Sequence, residues 1–457
     1  MSAKKETTLS AYFPGLIDIC EGTDGQLLYL TSTNGEISLQ DTATTSKGEV
    51  TPPNWEHLTF LVPRAEKVMS YINQDDTDLY QDVLAYLKRF SALDENQWSV
   101  VAHFVFISYL HDHEDISYCP ILLFYAVPER GKSRTGKSVS YVAFRGTHLS
   151  ELRVPYIFRY SESLHGTLFF DIMDVWKKAE KNDCQDILLG RFEKGLTCPR
   201  ILYPEKGPFL DTKHFDIYGP TIIATNEQLH KILNTRCLPI IMPNLPGNYE
   251  NPAPEKAREL KERLTAWRAR NLNKPLRDIS QIDGISGRLW DISKPLLQIA
   301  RAIDTENFIQ LTDAILEISG EQKEAKQETT EGRMVAIIRE LTDAAGYSQF
   351  TEWHLKTIDI HHKFNEGRPI DKHVSPQWIG TKLKSLSLRH RTINGRSEII
   401  LSPTEYKTLL SQYGLALPPQ IEISLPVEYH EQQTIAGVVG ISRELSEPLE
   451  EAEPAIQ

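Results

Sequence analysis

The residues Gly131-Lys132-Ser133-Arg134-Thr135-Gly136-Lys137-Ser138 have the spacing G-x-x-x-x-G-K-[ST] of a loop that wraps phosphates. Gly131 and Gly136 permit the tight turn. The amides of Arg134 and Thr135, with the helix N-terminus that follows, supply positive potential. Lys137 is placed to meet the β- and γ-phosphates and Ser138 to hold Mg²⁺, so the expected ligand is ATP with Mg²⁺. A metal-orienting acid is expected at the end of a second buried strand. Leu164-His165-Gly166-Thr167-Leu168-Phe169-Phe170 delivers Asp171 to such a place, opposite Ser138.

These residues need a frame to hold them. The apolar run Ile121–Val127 reads as the strand before the loop and Ser138–Arg145 as the helix after it. From about 120 to 250, apolar strands alternate with helical stretches, the pattern of an α/β domain of three layers. Residues 1–55 alternate short apolar runs with the turn signals Asp24-Gly25 and Asn34-Gly35, predicting a small β element. Helical patterns follow in 56–119, at about 79–90 and 98–110. A helical lid is expected over 251–318 and a linker over 319–332, where apolar residues almost vanish. A compact unit then spans 333–417, and the acidic tail of 418–457 is expected to be disordered at its end.

Composition narrows the class. The 457 residues are 40% hydrophobic and 25% charged, as in an ordinary globular protein of two or three domains. No apolar run reaches 18 residues and the N-terminus is polar, which predicts a cytoplasmic protein without a membrane span. Five scattered cysteines with no C-x-x-C pair argue against a disulfide framework and against a zinc site. With a net charge of −12, nucleic-acid binding must rest on local basic patches.

Three further positions could complete a hydrolytic site. The residue after Asp171 is Ile172, where a water-polarising acid would be expected, so Asp174 is the candidate base or else a helix N-terminal acid. The strand 220–224 ends in Thr225-Asn226-Glu227, where Asn226 is either a γ-phosphate sensor or a turn residue. Arg236, between a helix end and a new strand, is either an arginine finger reaching a neighbour's nucleotide or half of a surface ion pair.

In this order the motifs resemble the AAA+ class, and within it the superfamily 3-like helicase ATPases of phages, plasmids and integrated elements. The likeness covers roughly 120–300. It implies a P-loop NTPase core, a homo-oligomeric ring acting on single-stranded or forked DNA, mobile-element replication and a possible primase partner. It also implies that Arg288, in the lid, contacts the nucleotide. A β-hairpin tip around Pro204–Pro208 would project Lys206 onto the DNA backbone, with Lys213 and His214 as weaker contacts.

The last compact unit reads as helix, helix, helix and hairpin wing, a winged helix-turn-helix. Between Lys372 and Ser397 there are six basic residues, Lys372, Lys382, Lys384, Arg389, Arg391 and Arg396, and no acid. This local inversion of charge predicts a DNA-facing surface, with docking on a protein as the alternative. A helicase or translocase is the leading expectation. A nucleotide-gated DNA-binding switch with weak hydrolysis is its rival, and a small-molecule kinase using the same loop is a third reading that the hairpin and basic unit disfavour.

Overall fold

The computed structural model describes residues 8–417, apart from 34, 47, 228–229, 246, 346–351 and 394–395. The acidic tail and the Asn394-Gly395 turn therefore lie outside the described residues. The chain divides into two compact units, Met1–Ala325 and Lys326–Gln457.

In the first unit five strands form one parallel sheet: β1 (Ile121–Tyr125), β2 (Thr147–Leu149), β3 (Leu168–Asp171), β4 (Thr221–Thr225) and β5 (Cys237–Ile241). Their spatial order is β5-β1-β4-β3-β2. All five residues of β4 are buried, as a parallel sheet covered on both faces requires. Because β4 lies between β1 and β3, the residues after it are flanked by the chain leaving β1 and by Asp171.

The helices before and after the sheet pack into the same core. Glu95–Leu110 is buried at every residue from Trp98 onward. It is a central helix rather than the amphipathic one its spacing suggests, because helices 79–88, 132–142, 258–271 and 287–303 surround it. Two of its polar members bond locally: Ser108 Oγ donates to the Val105 carbonyl and accepts from the Phe144 amide, and His103 Nδ1 bonds the Ser99 carbonyl.

Ahead of these helices lie two small three-stranded sheets, one of which uses the strands expected beside Asp24-Gly25 and Gly35. A helix the sequence did not announce, Ala65–Ile72, follows them. The N-terminal sheet is tied to the helix after the loop by a buried ion pair. Arg145 Nε meets Asp18 Oδ1 at 2.8 Å, while Arg145 Nη1 donates to the carbonyls of Ala11 and Leu164. Arg145 has φ 47°, outside the helix expected to include it.

The expected linker is largely helical. One helix runs Thr305–Gln327 and the next begins at Thr330. Its Glu, Gln, Lys and Ala are poor core residues but strong helix formers, which is why apolar content misleads there.

The second unit contains helix 330–345, strand Trp353–Lys356, helices Thr357–Asn365 and Pro376–Ser385, strands Arg389–Ile393 and Arg396–Leu401, and helix Pro403–Gln412. The first strand pairs with the last, giving an antiparallel sheet around a core that includes Trp353, Phe364, Ile379 and Tyr406. The expected second helix is shorter because Trp353 and Leu355 alternate with exposed His354 and Lys356, a strand period.

Asp18→Asn should lower the free energy of unfolding of the first unit by about 3 kcal/mol, since Arg145 keeps its charge but loses its counter-ion in the interior. Denaturant unfolding of the full chain followed by tryptophan fluorescence measures this, and an unchanged midpoint would show the pair to be dispensable.

Candidate functional site

The loop after β1 differs in register from the expected one. Helix begins at Lys132 and runs to Val142, so Gly136, Lys137 and Ser138 lie within it. Ser138 is fully buried and its Oγ donates to the Thr135 carbonyl at 2.8 Å, which leaves it unable to reach a metal beside Asp171. Thr135 is buried as well, with its hydroxyl donated to Ser91 Oγ at 2.7 Å. Lys137 lies toward β2, where partial burial and then the charge of Lys137 lower the pKa of His148. Gly136 serves packing, since a Cβ there would lie 2.4 Å from the Phe169 ring.

The irregular backbone is instead Ala126-Val127-Pro128-Glu129-Arg130-Gly131, ending in Lys132-Ser133. It repeats the spacing four residues, Gly-Lys-Ser, with Ala126 where the first glycine would stand. The missed signal was the second Gly-Lys-Ser triplet, nearer the strand. Gly131 has φ 82°, a left-handed turn that glycine permits without strain. The amides of Lys132, Ser133 and Arg134 have no intrahelical acceptor, so the helix presents free donors and its positive end.

Ser133 Oγ donates to Asp171 Oδ1 at 2.9 Å. This joins the loop helix to the end of β3 at the carboxyl edge of the sheet, where ligands of open α/β sheets collect. A cavity of about 600 Å³ opens beside the loop, lined by Arg130, Lys132 and Arg134 and walled by Phe90 and Tyr249. Its size suits a nucleotide. Ser133 and Asp171 offer the hard oxygens that Mg²⁺ takes together with phosphate and water. Among the described residues no group of three or more His, Cys, Asp and Glu forms a separate metal site.

Ile172 is 2% exposed, so the position after Asp171 faces the core. Asp174 has φ 55° and makes no side-chain cap to the helix that follows it. Its carboxyl group lies close enough to Glu227 to raise the pKa of that acid, and Lys177 lies 3.6 Å from Glu227. Glu227, two residues beyond β4, was overlooked beside Asn226. Asn226 Oδ1 is buried with no hydrogen-bond partner among the described residues. The buried histidines are poor acid–base candidates, because burial pushes His103 and His111 down to about 4.

Arg236 sits at the opposite edge of the sheet. Its carbonyl accepts from the Ile121 amide at the start of β1, about 16 Å of strand from the loop. Its guanidinium lies 5.0 Å from the Phe192 ring centroid, as does that of Arg288. Arg288 is therefore not beside its own chain's loop, because helix Gly287–Ile303 begins at this far edge. Arg288 pairs with Asp291 at 3.4 Å, and among the described residues Arg236 Nη1 bonds the Ile232 carbonyl and Thr235.

The expected hairpin is present, with Thr197–Ile201 antiparallel to Thr212–Asp216. Its loop is longer than the sequence suggests, and Phe209 and Leu210 at its tip are 96% and 70% exposed. Lys206 Nζ lies 3.8 Å from the Tyr203 ring and Lys213 pairs with Glu162, so the tip is more apolar than basic. In the second unit, Lys382 pairs with Glu331 and Arg389 with Glu352 and Glu405. Lys384, Arg391 and Arg396 are exposed and have no acid partner among the described residues.

No family model and no curated protein matches the chain. Among solved structures it is similar to one titled SCCmec type IV Cch, active helicase, at 12% identity and TM-score 0.36, over 90% of this chain and 80% of that one. It is also similar to the apo A form of the NrS-1 C-terminal region, at 10% identity and TM-score 0.32, over 84% and 96% of the two chains. Superpositions this loose carry neither fold nor function across. No helix among the described residues is long and apolar enough to cross a membrane.

Substitution separates the two loop registers. Lys132→Ala should weaken ATP binding about 10- to 100-fold, the loss of one charge-assisted contact, while Lys137→Ala binds within about threefold of the parent. Titration with a fluorescent ATP analogue reads both, and the opposite ranking would restore the later register.

Proposed function

We propose that the chain is an ATP-dependent motor acting on DNA, a helicase or translocase of the AAA+ and superfamily 3-like type working as a homo-oligomeric ring. The observation that carries this reading is the Ser133–Asp171 hydrogen bond at a helix N-terminus beside a cavity lined by cations. In this reading Gly131, Lys132 and Arg134 hold the phosphates, and Ser133 and Asp171 hold Mg²⁺. The metal supplies charge neutralisation at the transferring phosphoryl group. Asp174 and Glu227 share the task of orienting and deprotonating water, replacing the acid absent at Ile172, and Asn226 offers its free carbonyl to that water.

Arg236 cannot serve its own loop from the far edge, which favours action on a neighbour's nucleotide and so a ring. Arg288, on the same ring of Phe192, belongs with it in that role. The hairpin 197–216 would meet single-stranded DNA through its apolar tip as well as Lys206. The second unit has the order of a winged helix: helix, strand, two helices, then a two-stranded wing. Its exposed Lys384, Arg391 and Arg396 would face phosphates. Mobile-element replication and a primase partner follow from the resemblance alone, and a cytoplasmic setting from the polar N-terminus and the lack of a long apolar run. The buried Ile172 favours a second reading, a nucleotide-gated DNA-binding switch with slow hydrolysis.

Single-stranded DNA should stimulate ATP turnover at least severalfold if the chain is a motor, and a steady-state assay with and without DNA decides between the readings. In the same assay, mixing Arg236→Ala with Lys132→Ala protein should restore part of the activity, because some interfaces carry both intact residues. No recovery at any ratio, with mixed rings confirmed by native mass, would remove the trans assignment.

Lys384, Arg391 and Arg396 changed together to glutamine should weaken duplex DNA binding and flatten its dependence on salt, by about 0.7 to 0.9 in log–log slope for each phosphate no longer neutralised. An unchanged slope would reassign this surface to protein docking.

A further inference from the structure

We propose that Arg130 is a phosphate-contacting residue of the loop, placing a guanidinium in cis against the polyphosphate chain of the bound nucleotide. This rests on the nucleotide reading of the cavity. Arg130 immediately precedes Gly131, the residue at which the loop turns into the helix, and it lines the same cavity as Lys132 and Arg134. Its Nη1 is buried and has no hydrogen-bond partner among the described residues. A guanidinium stays charged at any physiological pH and carries five donors in one plane, so a buried donor without an acceptor is a standing cost to the folded chain. Proteins keep such a group where something else completes it.

The charges around it indicate what that is. None of Arg130, Lys132 and Arg134 is ion-paired among the described residues, although Glu129 adjoins Arg130 in sequence and also lines the cavity. Three cations against the single carboxylate of Glu129 around one cavity fit a ligand with several negative charges better than a single carboxylate. The planar fork of Arg130 suits two oxygens of one phosphate, or of adjacent phosphates, where Lys132 offers a point charge. Because the guanidinium comes from the loop itself, binding of the triphosphate does not wait for a neighbouring subunit to bring an arginine. Arg236 and its neighbour Arg288 then bear on turnover, and Arg130 on capture.

The test uses the full chain and three variants, Arg130→Ala, Arg130→Lys and Lys132→Ala. Each is titrated with Mg-ATP, with inorganic tripolyphosphate and with AMP by calorimetry, and melted without ligand. Arg130→Ala should weaken ATP and tripolyphosphate about 10- to 100-fold while AMP changes little. Arg130→Lys should fall between it and the parent. The ligand-free melting temperature of Arg130→Ala should equal or exceed the parent's, because the unpartnered donor is gone. Parent-like affinity of Arg130→Ala for tripolyphosphate, with binding lost in Lys132→Ala, overturns the assignment and leaves the nucleotide reading standing. A lowered melting temperature in both Arg130 variants with unchanged affinity of the folded fraction marks a structural arginine and overturns it too. Parent-like binding by Lys132→Ala returns the phosphates to the later register and overturns the assignment, whereas failure of the parent chain to bind Mg-ATP or tripolyphosphate removes the nucleotide reading itself.

Discussion

The site depends on how closely one helix can lie against one strand. Gly136 faces the Phe169 ring with no space for a methyl group between them. Ser133 stands three residues before Gly136, on the same face of the helix, and Asp171 stands two residues after Phe169, on the same face of the strand. The contact that excludes a side chain at Gly136 is thus the one that brings the hydroxyl of Ser133 onto the carboxylate of Asp171 one step further along both elements. A larger residue would lift the helix from the sheet and open the hydroxyl–carboxylate distance on which the proposed metal holding relies. Dense packing in the core and chemistry at its edge are here the same constraint, because a close-packed interior transmits a displacement instead of absorbing it.

The arginines divide along a similar line. Arg191 is wholly buried, yet its guanidinium is satisfied by Ser161, Thr221 and the carbonyls of Ile217 and Pro220, at the base of the hairpin. Arg268 is likewise saturated, by Asp112 and by the carbonyls of Leu16, Ile17 and Tyr109. Among the described arginines, a buried nitrogen without a partner occurs at Arg130 and Arg236. One is on the edge of the sheet that carries the loop after β1 and the other on the opposite edge. Both residues are half-buried, and the fold satisfies its wholly buried arginines, so these two nitrogens mark where an outside acceptor is expected.

Much of this was legible in the sequence. The apolar runs gave away the strands that became β1, β3, β4 and β5, because a doubly covered parallel sheet is continuous in hydrophobicity. Asp171 was found for the same reason, as the first polar residue after such a run. The loop register was not, because two Gly-Lys-Ser triplets five residues apart satisfy overlapping spacings and the better match to the pattern was the one that packs. Local spacing does not reveal which glycine turns the chain and which lets a helix approach a ring. Glu227 and the far-edge position of Arg288 are products of sheet order and helix packing, so nearest-neighbour reasoning along the chain had no access to them. The largely helical backbone over 319–332, within which the two units divide, follows helix propensity, which apolar content does not reveal.

The buried pair of Asp18 and Arg145 also bears on how such a chain can change over evolutionary time. The N-terminal strand region offers carbonyls or a carboxylate to two interior arginines, Arg145 at the end of the loop helix and Arg268 in the helix 258–271. Remove that region and both cations lose acceptors in places water does not reach. The N-terminal sheets are therefore not a detachable adaptor that recombination could trade for another recognition module while the sheet and loop stay intact. Any shuffling that replaces them must bring a carboxylate to Arg145 and backbone acceptors to Arg268 in the same exchange, so exchange of parts at this end of the chain is far more restricted than simple fusion to the outside of the fold.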